Sequence, residues 1–115
     1  MEVRCLIVDD NPQFAEAARR LLELQGVRVV GVAATGDEAV AAASRLRPDV
    51  ALVDVGLGEE NGFDVATRLE RIPVIMISAR SEEDLGQIIE ASPMIGFLPK
   101  SALSGAAIRR LLSGP

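Results

Sequence analysis

With 115 residues, 49% of them hydrophobic, a formal net charge of −5 and a pI near 4.7, the chain suffices for one compact, acidic, soluble domain whose core needs neither a disulfide nor a metal. The absence of histidine excludes an imidazole base, a His-liganded zinc site and any phosphohistidine on this chain, leaving carboxylates, hydroxyls and lysine for acid–base or phosphoryl chemistry. No apolar run approaches the roughly 20 residues of a membrane span and no basic-plus-apolar leader opens the chain. The lone Cys5 fits a reducing cytoplasm, and eleven scattered arginines against one lysine argue against direct contact with nucleic acid.

Taken in order, short apolar runs alternate with segments of helical period. Val3 to Val8 is β-rich and nearly continuous, as in a strand covered on both faces, and it stops at Asp9-Asp10. Asn11 then offers an N-cap with Pro12 in the first helical position, and Phe14, Ala17, Ala18, Leu21 and Leu22 recur at helical spacing down to Gly26. Val27 to Ala33 reads as a second strand. Thr35-Gly-Asp-Glu38 is a capping-box pattern opening an alanine-rich helix through Leu46, which Pro48 stops.

Val50 to Val53 is a third buried strand ending at Asp54, followed by a loop from Val55 to Asn61 and a short helix from Gly62 to Glu70. Pro73 to Ile77 is the fourth strand. Ser81-Glu-Glu-Asp84 is a second capping box, opening a helix from Glu82 to about Ala91 that Pro93 terminates. Ile95 to Leu98 is the fifth strand, Ser101 is the expected N-cap of the last helix, and Ala102 to Leu112 is that helix. The organisation is (βα)5 without repeats or linkers, a single domain over 1–115.

Strands alternating with helices imply a parallel sheet covered on both faces, whose active region lies at the carboxyl ends of the strands. Asp9, Asp10, Asp54, Ser78 and Lys100 all fall at or just past such ends. Three aspartates gathered there repel one another unless protons or a cation compensate. Mg²⁺, with its preference for carboxylate and water oxygens, together with Lys100 would bring the pocket to neutrality and let a phosphoryl group approach. Asp54 could then act as a nucleophile, with metal and lysine stabilising charge on the transferring oxygens.

These residues resemble the CheY-like receiver domain of two-component response regulators. The matching elements are Asp9-Asp10, Asp54, Leu57 and Gly62 in the following loop, Ser78-Ala79, and Gly96-Phe-Leu-Pro-Lys100, in order along the whole chain. The resemblance implies a doubly wound, flavodoxin-like fold with a five-stranded parallel sheet of order 2-1-3-4-5. It implies that Asp54 accepts a phosphoryl group from a sensor histidine kinase and that Asp10, Asp54 and the Gly56 carbonyl bind Mg²⁺, with Asp9 reaching it through water. Ser78, Lys100 and the Ala79 amide would contact the phosphoryl oxygens. Phe97 stands at the position of the family's switch aromatic. It would turn inward as Ser78 moves toward the phosphate, altering the face of the fourth helix, fifth strand and fifth helix that meets an output partner. Gly56 and Arg80 occupy positions that tune hydrolysis of the acyl phosphate.

Departures from the family pattern lie around this pocket rather than in it. Gly58 replaces the usual proline four residues after Asp54, which suggests a mobile loop, and Pro93-Met94 replaces a common Gly-Ala pair. Only 24 residues separate Asp54 from Ser78, which compresses the third helix. Gly56 stands where aspartate-nucleophile phosphatases carry a general acid, so the domain is expected to be no enzyme beyond self-phosphorylation from small donors and its own dephosphorylation. A phosphate-independent interaction module with a vestigial pocket is the alternative. The Gly96 to Ser101 stretch also resembles receivers of NarL/FixJ-type DNA-binding regulators, although these 115 residues encode no helix-turn-helix. A stand-alone receiver, a homodimer and a receiver cut from a longer transcription regulator all stay open.

Overall fold

The computed structural model describes residues 2–79 and 94–114. Strand β1 (Val3–Val8) leads into helix α1 (Pro12–Leu24), β2 (Val27–Ala33), α2 (Gly36–Leu46) and β3 (Val50–Asp54). A two-residue antiparallel hairpin, Gly56–Leu57 with Glu60–Asn61, precedes α3 (Gly62–Arg68). After β4 (Val74–Ser78) come β5 (Gly96–Pro99), a 3-10 turn over Lys100–Ala102 and a C-terminal helix, Gly105–Ser113. The strands form one parallel sheet of order β2-β1-β3-β4-β5, as expected for the doubly wound fold. The expected Ser81–Asp84 capping box, the helix over 82–91 and its terminator Pro93 lie outside the described residues.

Because successive strand residues point to opposite faces, the continuous apolar runs feed two cores. Cys5, Ile7, Leu52, Ile75 and Ile77 face α1 and the C-terminal helix, where Ala15, Ala18, Leu22, Leu103 and Ile108 meet them. Leu6, Val8, Ala51, Val53 and Met76 face α2 and α3, against Ala39, Ala43, Phe63, Val65 and Ala66. All five residues of β3 are buried, so the strand that delivers Asp54 is gripped from both sides. No described helix is long and apolar enough to cross a membrane.

Local chemistry sets the helix boundaries. Asn11 Oδ1 accepts the amides of Gln13 and Phe14 at 3.0 and 3.2 Å, and Thr35 Oγ1 accepts that of Glu38 at 3.1 Å. Glu38 reaches back to the amide of Ala34, one residue earlier than a standard capping box. Helix α3 stops at Arg68, two residues short of the expectation. The last helix begins later than expected: Lys100–Ala102 form a 3-10 turn, Leu103 is extended and buried, and Ser104, not Ser101, caps the helix by accepting the Ala107 amide at 3.0 Å. Burying Leu103 in the α1-side core fixes the chain there and postpones the helix by three residues.

Candidate functional site

The carboxyl end of the sheet gathers the acidic residues. Asp9 follows β1 directly, its amide bonded to the Ala33 carbonyl at 2.9 Å, and is 2% exposed. Its Oδ1 accepts the Asn11 amide at 2.8 Å, so the residue that ends β1 also anchors the start of α1. Asp10 is exposed, whereas Asp54, the last residue of β3, is 8% exposed. One carboxylate oxygen from each of Asp9, Asp10 and Asp54 lies within 4.8 Å of the others.

Lys100 enters from the turn after β5. Its Nζ lies 2.8 Å from Asp9 Oδ2 and 3.5 Å from Asp54 Oδ2. The ammonium also sits 4.2 Å from the centroid of the Phe14 ring on α1. Phe14 was legible in the sequence only as part of an apolar helical face; its place under the lysine depends on the β1-α1 turn and the β5 exit meeting in space. Ser78 is 5% exposed at the end of β4, opposite Pro99 in the sheet register, with the exposed Ala79 just beyond. Phe97 is partly buried against the α2-α3 core, beside Met76 in the register. Arg80 lies outside the described residues.

Burial raises the pKa of Asp54 above its ordinary value near 3.8, and the neighbouring Asp9 charge adds to the rise. Lys100 and a hydrogen bond from the Gly56 amide oppose it without cancelling it. Asp9 Oδ2 is enclosed and accepts no well-aligned hydrogen bond among the described residues, although the ammonium is close. An enclosed, under-coordinated carboxylate oxygen beside two further carboxylates is a donor set suited to a hard divalent cation.

The hairpin after Asp54 completes the rim. Gly62 lies so close to the Asp54 carbonyl that a Cβ there would collide with it, while the Gly62 amide bonds to the Val55 carbonyl at 2.8 Å. Within the stretch expected as a loop lies a paired turn: Gly58 adopts φ +62°, which proline cannot reach, and donates to the Gly56 carbonyl at 3.2 Å. That carbonyl keeps a second lone pair. A Cβ on Gly58 would lie 3.2 Å from Asp10 Oδ2.

The sequence profile of the response regulator receiver domain matches residues 5–111. The chain belongs to the response regulator receiver family. Among solved structures, this receiver superposes with a TM-score of 0.85 on the signal receiver domain of the putative response regulator NarL from Mycobacterium tuberculosis, at 31% identity, covering 99% of this chain and 98% of that one. It superposes at 0.82 on the signal receiver domain of a modulated diguanylate cyclase from Desulfovibrio desulfuricans, at 33% identity over 98% and 92% of the two chains. A putative transcriptional regulator from Pseudomonas aeruginosa is 39% identical over 84% of this chain and 49% of its own length. The transcriptional regulatory protein KdpE from Mycobacterium tuberculosis is 39% identical over 75% of this chain and 39% of its own. The receiver thus spans half or less of these curated relatives. Receiver domains bind Mg²⁺ at an acidic pocket, and Asp9, Asp10 and Asp54 form an acidic cluster here.

Proposed function

We propose that this receiver is a phosphorylation switch in which Asp54 takes a phosphoryl group from a sensor histidine kinase in a Mg²⁺-dependent transfer. The observation that carries this reading is the set of three carboxylate oxygens within 4.8 Å of one another with the chain's one lysine 2.8 and 3.5 Å from two of those side chains. Asp54 Oδ attacks phosphorus, the P–N bond of the donor phosphohistidine breaks, and its electron pair returns to the imidazole nitrogen. Asp10, Asp54 and the Gly56 carbonyl would hold Mg²⁺, with Asp9 reaching it through water, and the ion would supply charge neutralisation for the phosphoryl oxygens.

Lys100 already touches the Asp54 carboxylate, so its ammonium is placed to follow the charge onto the phosphoryl oxygens. The Ser78 hydroxyl and Ala79 amide, at the end of the adjacent strand, donate to the same oxygens, and the shift of Ser78 lets Phe97 turn inward. That movement changes the face of the fourth helix, β5 and the C-terminal helix toward a partner or an attached output domain. Gly56 and Arg80 set how readily water reaches the acyl phosphate. On this reading 1–115 is one receiver domain working in the cytoplasm, with no turnover beyond its own phosphorylation and dephosphorylation.

Intact mass after incubation with acetyl phosphate and Mg²⁺ tests the assignment. The parent gains one phosphoryl group, whereas Asp54→Asn and a chelated sample gain none. Equal uptake by Asp54→Asn would remove Asp54 as the acceptor. A parent that neither gains mass nor binds Mg²⁺ would instead favour a phosphate-independent interaction module.

A further inference from the structure

The hairpin after Asp54 is held at its base by the Gly62 amide on the Val55 carbonyl, inside by Leu57, which is 2% exposed, and at its exit by Asn61, whose Oδ1 accepts the Phe63 amide at 2.8 Å. A further tie crosses to another element. Glu60, exposed on the outer strand and paired with Leu57, accepts the backbone amide of Gly36 on Oε1 at 2.8 Å. Gly36 is the first residue of α2, and its amide is one of those a helix leaves without an internal partner. Thr35 serves the Glu38 amide instead, so Glu60 supplies from outside the acceptor that the helix's own cap does not.

What this tie controls is the backbone next to two carboxylates. Gly56, on the inner strand, lies two residues after Asp54, and Gly58 at the tip packs so that its missing Cβ would stand 3.2 Å from Asp10 Oδ2. The tip itself makes no hydrogen bond to another element among the described residues. We propose that Glu60 is a positioning residue for the acidic pocket: its carboxylate latches the hairpin onto the first amide of α2 and so holds the Gly56–Gly58 backbone against Asp54 and Asp10 in the arrangement that takes Mg²⁺. The proposal rests on the reading of that pocket as a cation site. The rival role for Glu60, a carboxylate that merely favours the α2 N-terminus, affects stability and leaves the cation alone.

Calorimetric titration of Mg²⁺ into the parent and three variants, with denaturation of each in chelator, separates these roles. Glu60→Ala binds Mg²⁺ about tenfold more weakly, the scale seen when a group supporting metal ligands is removed. Glu60→Gln keeps a carbonyl oxygen for the Gly36 amide and binds close to the parent. Gly36→Ala attacks the contact from the other side, because its Cβ would lie 2.6 Å from Glu60 Oε2. It displaces the carboxylate without removing its charge, but the same Cβ stands 3.0 Å from Arg68 Nη1 and from Cγ2 of the buried Val65, so its metal-free stability is read alongside and the latch predicts a loss of Mg²⁺ affinity beyond any loss of stability. Were Glu60→Ala to fold poorly, Gly36→Ala alone would carry the test. Variants that all bind like the parent overturn the latch, and a Glu60→Gln as weak as Glu60→Ala reduces the effect to charge and overturns it equally. A parent without Mg²⁺ binding overturns the cation reading and the latch with it.

Discussion

The Asp54 carboxyl, with its side chain 12% exposed and Asp9 beside it, is too enclosed to ionise as freely as in water. Its raised pKa means that the folded state holds a proton more tightly than the unfolded chain does. Stability therefore falls as pH rises from about 3.8 through the folded-state pKa, and stays lower above it. In chelating buffer at pH 7, Asp54→Asn is accordingly expected to be more stable than the parent. Urea denaturation at a series of pH values checks this: the excess should shrink as pH falls toward 4. An Asp54→Asn that is less stable than the parent at pH 7 would mean that the Lys100 contact outweighs burial and the Asp9 repulsion. The same conflict explains why the acidic pocket was readable from sequence while its support was not. Aspartates at strand ends announce their crowding, but nothing in the one-dimensional pattern placed Phe14 under Lys100 or Glu60 on the Gly36 amide, since both contacts close across 24 residues or more.

At the scale of elements, local rules competed with burial, and burial prevailed. The apolar face expected on α1 included Ala17 and Leu21, yet the core takes Ala15, Ala18 and Leu22 and leaves Leu21 38% exposed. A helix lying flat on a sheet buries a narrow stripe at spacings of three and four, so only some apolar positions are used. The last helix shows the same priority. Ser101 and Ser104 both precede helix-forming residues, and the burial of Leu103 between them selects Ser104. Ser104→Ala should cost about 1 kcal/mol through the lost cap, and Ser101→Ala, exposed in the 3-10 turn, only a few tenths. Chemical denaturation of the two variants decides it, and equal losses would put the helix start back at Ser101. The start matters for the site because the intervening turn gives Lys100 a fixed exit from β5 toward Asp9 and Asp54.

Across the whole molecule, the parallel sheet was legible because continuous apolar strands and ten-residue helical intervals admit few topologies, whereas its strand order followed only from the family resemblance. The hairpin was not legible, because two-residue strands have no periodicity to detect, and Gly58 signals only that a turn exists. Binding at one edge of this sheet should nevertheless be felt throughout it, since β1 and β3 run from the acidic pocket into both cores. Cys5 offers a reporter for that coupling. It is fully buried in the middle of β1, 0% exposed, and desolvation pushes its thiol up to about 12. Alkylation at pH 8 is then expected to pass through unfolded molecules, in which the thiol ionises near 8.5. Mg²⁺ that binds only the folded pocket lowers the unfolded population by the factor one plus [Mg²⁺]/Kd, so labelling should slow about elevenfold at ten times Kd. Asp10→Ala should abolish that protection while leaving Cys5 as buried as before, because Asp10 is exposed and belongs to neither core. If Mg²⁺ left the labelling rate of the parent unchanged at concentrations where calorimetry shows saturation, Cys5 would be reached by a local opening of β1. The pocket and the core would then have to be treated as separate units of stability.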